Sequence, residues 1–262
     1  MIAVEARAEP PAGLVEPGLG SGELVRCTLD LLEVTDRVYH ELRRTVPLVT
    51  ALVEEVRRLP GPLRVVAIAP NELLLKVLAG LGHRVEVWRV DPAVLGEEAA
   101  ALTTRRGSLD QVLAEAPPPA DLLLLPYVLE AAAEEPARVL RRLGVDGRLV
   151  VACRHSGALI YRRRAIAGRP LLDPPAPPRI SLGWPDLPPR RVIARGDLAA
   201  LAAEAGLVLE RQRLVIDRTA TSAVQAMSLS AYLGARLKHL AKHLVPPWRD
   251  CIVATLTPGR PA

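Results

Sequence analysis

Hydrophobic positions recur at helical spacing between Gly22 and Leu59: Leu24, Leu31, Leu32, Val38 and Leu42, then Val49, Leu52, Val53 and Val56. Pro47 falls inside this run, and because proline removes a helical N–H it predicts a division into two helices. "PGP" at 60–62 closes the region, and the pattern then changes. "LRVVAIA" is apolar throughout, the signature of a strand buried on both faces of a parallel sheet. "NELLLKVLAGLG" predicts a helix with Asn71 as N-cap and Gly82 as its stop. "RVEVWRV" is a second strand running to Asp91, and Pro92 suits the first turn of a following helix, "AVLGEEAAALTTRR".

A proline triplet at 117–119 breaks the chain again. A strand from Asp121 to about Leu125 follows, then a helix, and "DGRLVVACRHSG" reads as a turn and another buried strand. No third strand is evident in "TTRRGSLDQVL". Eight of the 25 prolines lie between residues 170 and 189, so that segment must be an extended excursion or lid. "GDLAALAAEAG" is a short helix capped by Asp197, "LVLERQRLVID" a partly alternating strand, and "DCIVATLTP" the closing strand. Between these two strands, residues 222–244 place Val224, Met227, Leu229, Leu233, Leu237, Leu240 and Leu244 at helical spacing, with Arg236, Lys238 and Lys242 at charged positions. Such a helix is expected to pack over the sheet edge or to form an oligomer contact, not to lie on a membrane.

Alternating strands and helices predict an α/β fold with a doubly wound, mostly parallel sheet and an antiparallel last strand, expected at the edge. The expected organisation is a flexible arm at 1–22, a helical cap at 23–59 and an α/β domain at 60–262, with a proline-rich insertion at about 156–193. A chain of 262 residues, half of them hydrophobic, can bury one large core. Its apolar stretches are too short to span a bilayer, and its N-terminus lacks the apolar run of a secretory signal. Cys27, Cys153 and Cys251 are far apart and in no metal-ligand spacing. They are expected to be small buried hydrophobes in a protein of a reducing cytoplasm. The net charge of +5 gathers in "YRRRAIAGR" and the late helix, a basic face for an acidic substrate or partner, or for RNA. Aromatics make up 3% of the chain and Phe is absent, which leaves little for base stacking and disfavours RNA.

Four passages together resemble the class I S-adenosylmethionine-dependent methyltransferases, a Rossmann-like family. "LLLKVLAGLGHRVEVWRVDPAVLGEEAAAL" is similar to the stretch from the cofactor-loop helix through the second strand. "ADLLLLPYVLEAAAEEPARVLRRLGVDGRLVVA" is similar to the fourth strand, the next helix and the fifth strand. "ARGDLAALAAEAGLVLERQRL" and "DCIVATLTPG" resemble the late helix and strand and the final antiparallel strand. The resemblance implies S-adenosylmethionine as cofactor and methyl transfer to a small-molecule or modified macromolecular acceptor. It places the ribose acid at Asp91, the adenine contact at Ser108 or Asp110, and Tyr127 where it could cover a ligand. The family's glycine-rich turn falls on Ala67, Ala69, Asn71 and Leu73, and all four positions depart from its pattern. Only Ala69, by its size, and Asn71, by its tolerance of left-handed backbone, approach glycine.

His155 follows the fifth strand, near the carboxyl edge where a general base for an acceptor hydroxyl could sit, or is a plain loop histidine. His239 and His243 share a helix face but lack a neighbouring acid, so no metal is expected. Arg162, Arg163, Arg164 and Arg169 either meet an acidic partner or are solvated. Two functions therefore stay open: methyl transfer, and a catalytically inactive subunit or scaffold that binds a protein partner, as a homo- or hetero-oligomer.

Overall fold

In the computed structural model, which describes residues 19–90, 103–115, 117–143, 147–172, 189–216 and 229–259, two helices precede the sheet: Ser21–Asp30 (α1) and Asp36–Val56 (α2). The break falls at 31–35, not at Pro47, which lies inside α2. An interior proline costs about 3 kcal/mol. Here it is flanked by Leu48, Val49, Leu52 and Val53, all fully buried, and their packing offsets that cost.

The strands and helices then alternate as Arg64–Ile68 (β1), Glu72–Gly80 (α3), Arg84–Val90 (β2), Thr103–Gly107 (β3), Leu109–Ala114 (α4), Leu122–Pro126 (β4), Val128–Ala131 (α5), Pro136–Leu143 (α6) and Arg148–Arg154 (β5). Leu159–Ile166 (α7), Asp197–Glu204 (α8), Leu207–Val215 (β6), Leu229–Leu244 (α9), a 3-10 turn at Pro246–Trp248 and Cys251–Pro258 (β7) complete the order.

The seven strands among the described residues form one sheet in the order β3-β2-β1-β4-β5-β7-β6. Strands β1 to β5 pair in parallel, whereas β7 runs antiparallel to both β5 and β6. The reversed strand is thus interior, not an edge. Its residues Cys251 to Leu256 are buried throughout, while β6 at the edge is mostly exposed or half-buried. The expected absence of a third strand is also corrected: part of the segment read as helix pairs with β2 as the opposite edge. Its sequence, TTRRG, carries no apolar run because an edge strand has only one neighbour in the sheet.

Alternation along the strands splits the core between the two faces. Val65, Ala67, Leu122, Leu124, Val150, Ala152, Cys251 and Val253 pack with α1, α2 and α3. Val66, Ile68, Leu123, Leu125, Val151, Cys153, Ile252 and Ala254 pack with α4, α5, α6 and α8. The helical cap is also bonded to the sheet through polar groups. Thr255 Oγ1 donates to Glu55 Oε2 at 3.1 Å, and Arg213 pairs with both Glu54 and Glu55.

Two expectations end differently from their reading, the second only as to packing over the sheet edge. Cys153 and Cys251 are buried but Cys27 is exposed. The leucines of α9 do not cover the sheet edge: Leu233, Leu237, Leu240 and Leu244 are all exposed. The proline-rich stretch 173–188 lies outside the described residues. Among the described residues, no helix is long and apolar enough to cross a membrane.

Candidate functional site

In an open parallel sheet, ligands bind beyond the carboxyl ends of the strands where the strand order reverses. That point lies here between β1 and β4. The residue after each of these strands is a non-glycine in left-handed backbone: Ala69 at φ 54° and Tyr127 at φ 60°, and no other described non-glycine residue has a positive φ. Both are held by the neighbouring strand, Ala69 N–H donating to Trp88 O at 2.9 Å and Tyr127 N–H to Ala152 O at 2.7 Å. Strain of this kind, roughly 1–3 kcal/mol per residue, persists only where the surroundings enforce it, and it concentrates at functional sites.

The turn after β1 is nonetheless closed. Ala67, Ala69, Asn71 and Leu73 are each at most 2% exposed. Asn71 does cap α3, its Oδ1 accepting from Leu74 N–H at 2.8 Å. Its Nδ2 donates at 3.0 Å to Thr45 Oγ1 of α2, whose hydroxyl donates to Leu42 O at 2.7 Å. The amide is therefore engaged on both sides, and it ties the turn to the cap. Leu73 is fully buried in the core shared with α1 and α2.

The candidates after β3 are engaged as well. Ser108 is the N-cap of α4 in a reciprocal capping box with Gln111. Asp110 Oδ1 accepts from Ala133 N–H at 3.2 Å, joining α4 to the loop beyond α5. Asp91 lies outside the described residues.

Beyond β4 and β5 the chain assembles a buried polar cluster that sequence reasoning missed. Glu130 of α5, wholly buried, pairs through Oε1 with Arg154 Nη1 at 2.9 Å and accepts the Arg154 backbone N–H on Oε2. The Arg154 guanidinium carbon lies 5.2 Å from the Tyr127 ring centroid, a cation–π contact, and the Tyr127 hydroxyl meets Cys251 Sγ at 3.1 Å. Burial works against the charge on Arg154, but the Glu130 carboxylate, with Tyr127, Tyr161 and Cys251, more than offsets it and raises its pKa. Burial likewise pushes the Tyr161 hydroxyl up to about 12. The available signal was an acid in an otherwise apolar helix start, "YVLEAAA", and an arginine closing an apolar strand.

His155 is not part of this cluster. Strand alternation sends Arg154 and His155 to opposite faces. The His155 backbone bridges Ile193 and Asp250, and its Nδ1 lies 3.4 Å from Arg249 O. A Cβ on Gly157 would come within 2.6 Å of the ring, so glycine is required to seat it. Burial lowers the His155 pKa, Arg162 and Arg195 lower it further, and the Arg249 carbonyl opposes them. Two arginines of the cluster make local bonds. Arg162 Nε donates to Gly157 O at 2.9 Å, and Arg164 Nη1 reaches the carbonyls of Pro170 and Leu171. His239 and His243 stack edge-on with their Nε2 atoms 3.1 Å apart, and no group of three or more metal-ligating side chains occurs among the described residues.

A seven-stranded sheet of this order, with only β7 reversed, is the fold of the class I S-adenosylmethionine-dependent methyltransferases. The chain is similar to the magnesium protoporphyrin IX methyltransferase of Synechocystis PCC 6803, solved with bound S-adenosylhomocysteine. The identity is 14%, over 90% of this chain and 93% of that one, with a TM-score of 0.50. It is also similar, at 12% identity over 86% of this chain and 94% of the other, to a chain in the complex between the Haloferax volcanii Trm112 methyltransferase activator and a putative methyltransferase, with a TM-score of 0.52. At such identities the likeness is one of fold. No family model and no curated protein matches the sequence.

Proposed function

We propose that this chain uses the methyltransferase fold without its chemistry, as an interaction protein: a non-catalytic subunit or scaffold that binds or stabilises a protein partner. One observation carries this reading. A turn that cradles a nucleotide cofactor must present bare backbone to the ligand. Here the turn is closed by the chain's own atoms, with Asn71 spent on α3 and Thr45. Ser108 and Asp110, where the adenine would be addressed, are spent on α4 and Ala133. These residues do not fit S-adenosylmethionine, so no step through it is derived. A similar fold has been solved with a protein activator, which accords with a protein partner.

One feature favours the other reading, S-adenosylmethionine-dependent methyl transfer with Asp91 on the ribose and His155 as base. Left-handed Ala69 and Tyr127 sit together at the switch point, where such strain accompanies function. Calorimetric titration with S-adenosylmethionine and S-adenosylhomocysteine separates the two. The interaction reading expects no heat and no thermal shift at about 1 mM ligand. Saturable binding that Asp91→Ala weakens at least about tenfold would refute it and establish the cofactor site, since a charge-assisted hydrogen bond contributes about 1.5–3 kcal/mol.

A further inference from the structure

Helix α9 is mounted with its charge inward and its leucines outward. Among its described side chains the buried one is Lys242, whose Nζ pairs at 2.5 Å with the buried Asp250 just ahead of β7. At about 100° per residue, Lys242 stands roughly opposite the centre of the leucine stripe. Rotating the helix to bury the leucines would pull Lys242 out of its buried pair with Asp250 and break that ion pair. The ion pair thus fixes which face is shown.

The face itself has a definite form. Leu233, Leu237, Leu240 and Leu244, between 52% and 72% exposed, follow one another at steps of four, three and four residues. They fall within an arc of about 60°, narrower than the stripe of a helix that packs on a globular core and matching the a/d seam of a coiled coil. Gly234 and Ala241 flank the seam on one side and leave room for close approach of another helix. Arg236 and His243 flank it on the other, Lys238 lies further round beyond Gly234, and the helix from Leu229 to Leu244 contains no acid.

We infer that this seam docks an amphipathic helix of a partner protein, one with leucine-type residues at heptad spacing and acidic residues beside them. Charge decides the occupant. Two copies of α9 would bring basic flanks together with no carboxylate to answer them, whereas glutamates beside the partner's seam would face Arg236 and His243. A membrane surface is disfavoured by the narrowness of the stripe and its lack of aromatic residues. The inference deepens the interaction reading by giving the partner's chemistry. Its test reads α9 alone while the cofactor titration reads the crevice, so either can fail while the other stands.

The probe is a synthetic helix about three heptads long, with Leu at a and d and Glu at e and g, followed by fluorescence anisotropy. Saturable binding is expected, weakened at least about tenfold both by exchanging the peptide's Glu for Lys and by the L237E/L240E double variant of the protein. Both leucines are exposed, so the double variant should keep the parent's unfolding midpoint, which separates lost docking from lost folding. Equal binding of the two peptides, binding that survives in the double variant, or no binding up to about 1 mM peptide overturns the proposal. So does dimerisation of the parent in sedimentation that the double variant abolishes, which would assign the seam to a second copy. Flotation with phosphatidylglycerol-containing vesicles that the double variant abolishes would overturn it in favour of a membrane.

Discussion

Replacing Asn71 by Ala asks whether the turn after β1 is a structural joint or a ligand cradle. The side chain is 2% exposed and makes two bonds, one capping α3 through Leu74 N–H and one reaching Thr45 across to α2. Loss of an N-cap costs about 1 kcal/mol. Loss of the bond to Thr45 costs about 1 kcal/mol more, and the buried Leu74 N–H left without an acceptor raises the total. The expected loss is therefore about 2–3 kcal/mol. For a domain of this size that is a fall of roughly 4–12 °C in Tm. Urea unfolding is the assay, with the midpoint lowered and the slope unchanged. Asn71→Asp should recover the capping half, since its carboxylate still accepts from Leu74 N–H, but not the donated bond to Thr45. A double-mutant cycle of Asn71→Ala with Thr45→Val should give a coupling of at least about 0.5 kcal/mol. A loss below about 0.5 kcal/mol with no coupling to Thr45 would refute the reasoning: the amide would then be free to meet a ligand, and the cofactor reading would gain what the interaction reading lost.

Leu73→Gly is expected to destabilise by at least about 3 kcal/mol, because it removes a fully buried side chain and places glycine in a helix; near-parent stability in urea, with new cofactor binding by calorimetry, would instead make Leu73 an obstruction. Stability should also fall in acid for a histidine reason. His83 and His155 both have native pKa values lowered by burial from the ordinary 6.5, and His83 Nδ1 accepts from Leu63 N–H, which a protonated ring cannot do. The folded state then binds fewer protons than the unfolded state, so their contribution is complete above about pH 6.5 and is lost as pH falls through the lowered native values. The H83N/H155N double variant should flatten that part of the stability–pH curve; an unchanged slope would contradict it.

Much of the architecture was legible in the chain because the apolar runs of β1, β4, β5 and β7 can be satisfied only by burial on both faces. The interior of the sheet, its helices and the cap follow from periodicity, and the N-cap at Asn71 follows from local chemistry, whereas Ser108, expected as an adenine contact, is the N-cap of α4. Period alone does not reveal an edge strand or the order of strands in a sheet, so it hides β3 at one edge and the interior place of β7. A helix's own pattern likewise does not say which way it faces. The leucines of α9 fit either packing over the sheet edge or an oligomer contact, and in the fold they face outward while Lys242 pairs with the buried Asp250. The same distinction governs the candidate site. Sequence could show that the turn lacked glycine, but not whether the space was open. That depends on Thr45, 26 residues away, reaching Asn71, and on Glu130 and Arg154 meeting beneath Tyr127. Local propensity acts over a few residues and is written in order along the chain. Burial, ion pairing and closure depend on residues the fold brings together, and only the tertiary structure decides them.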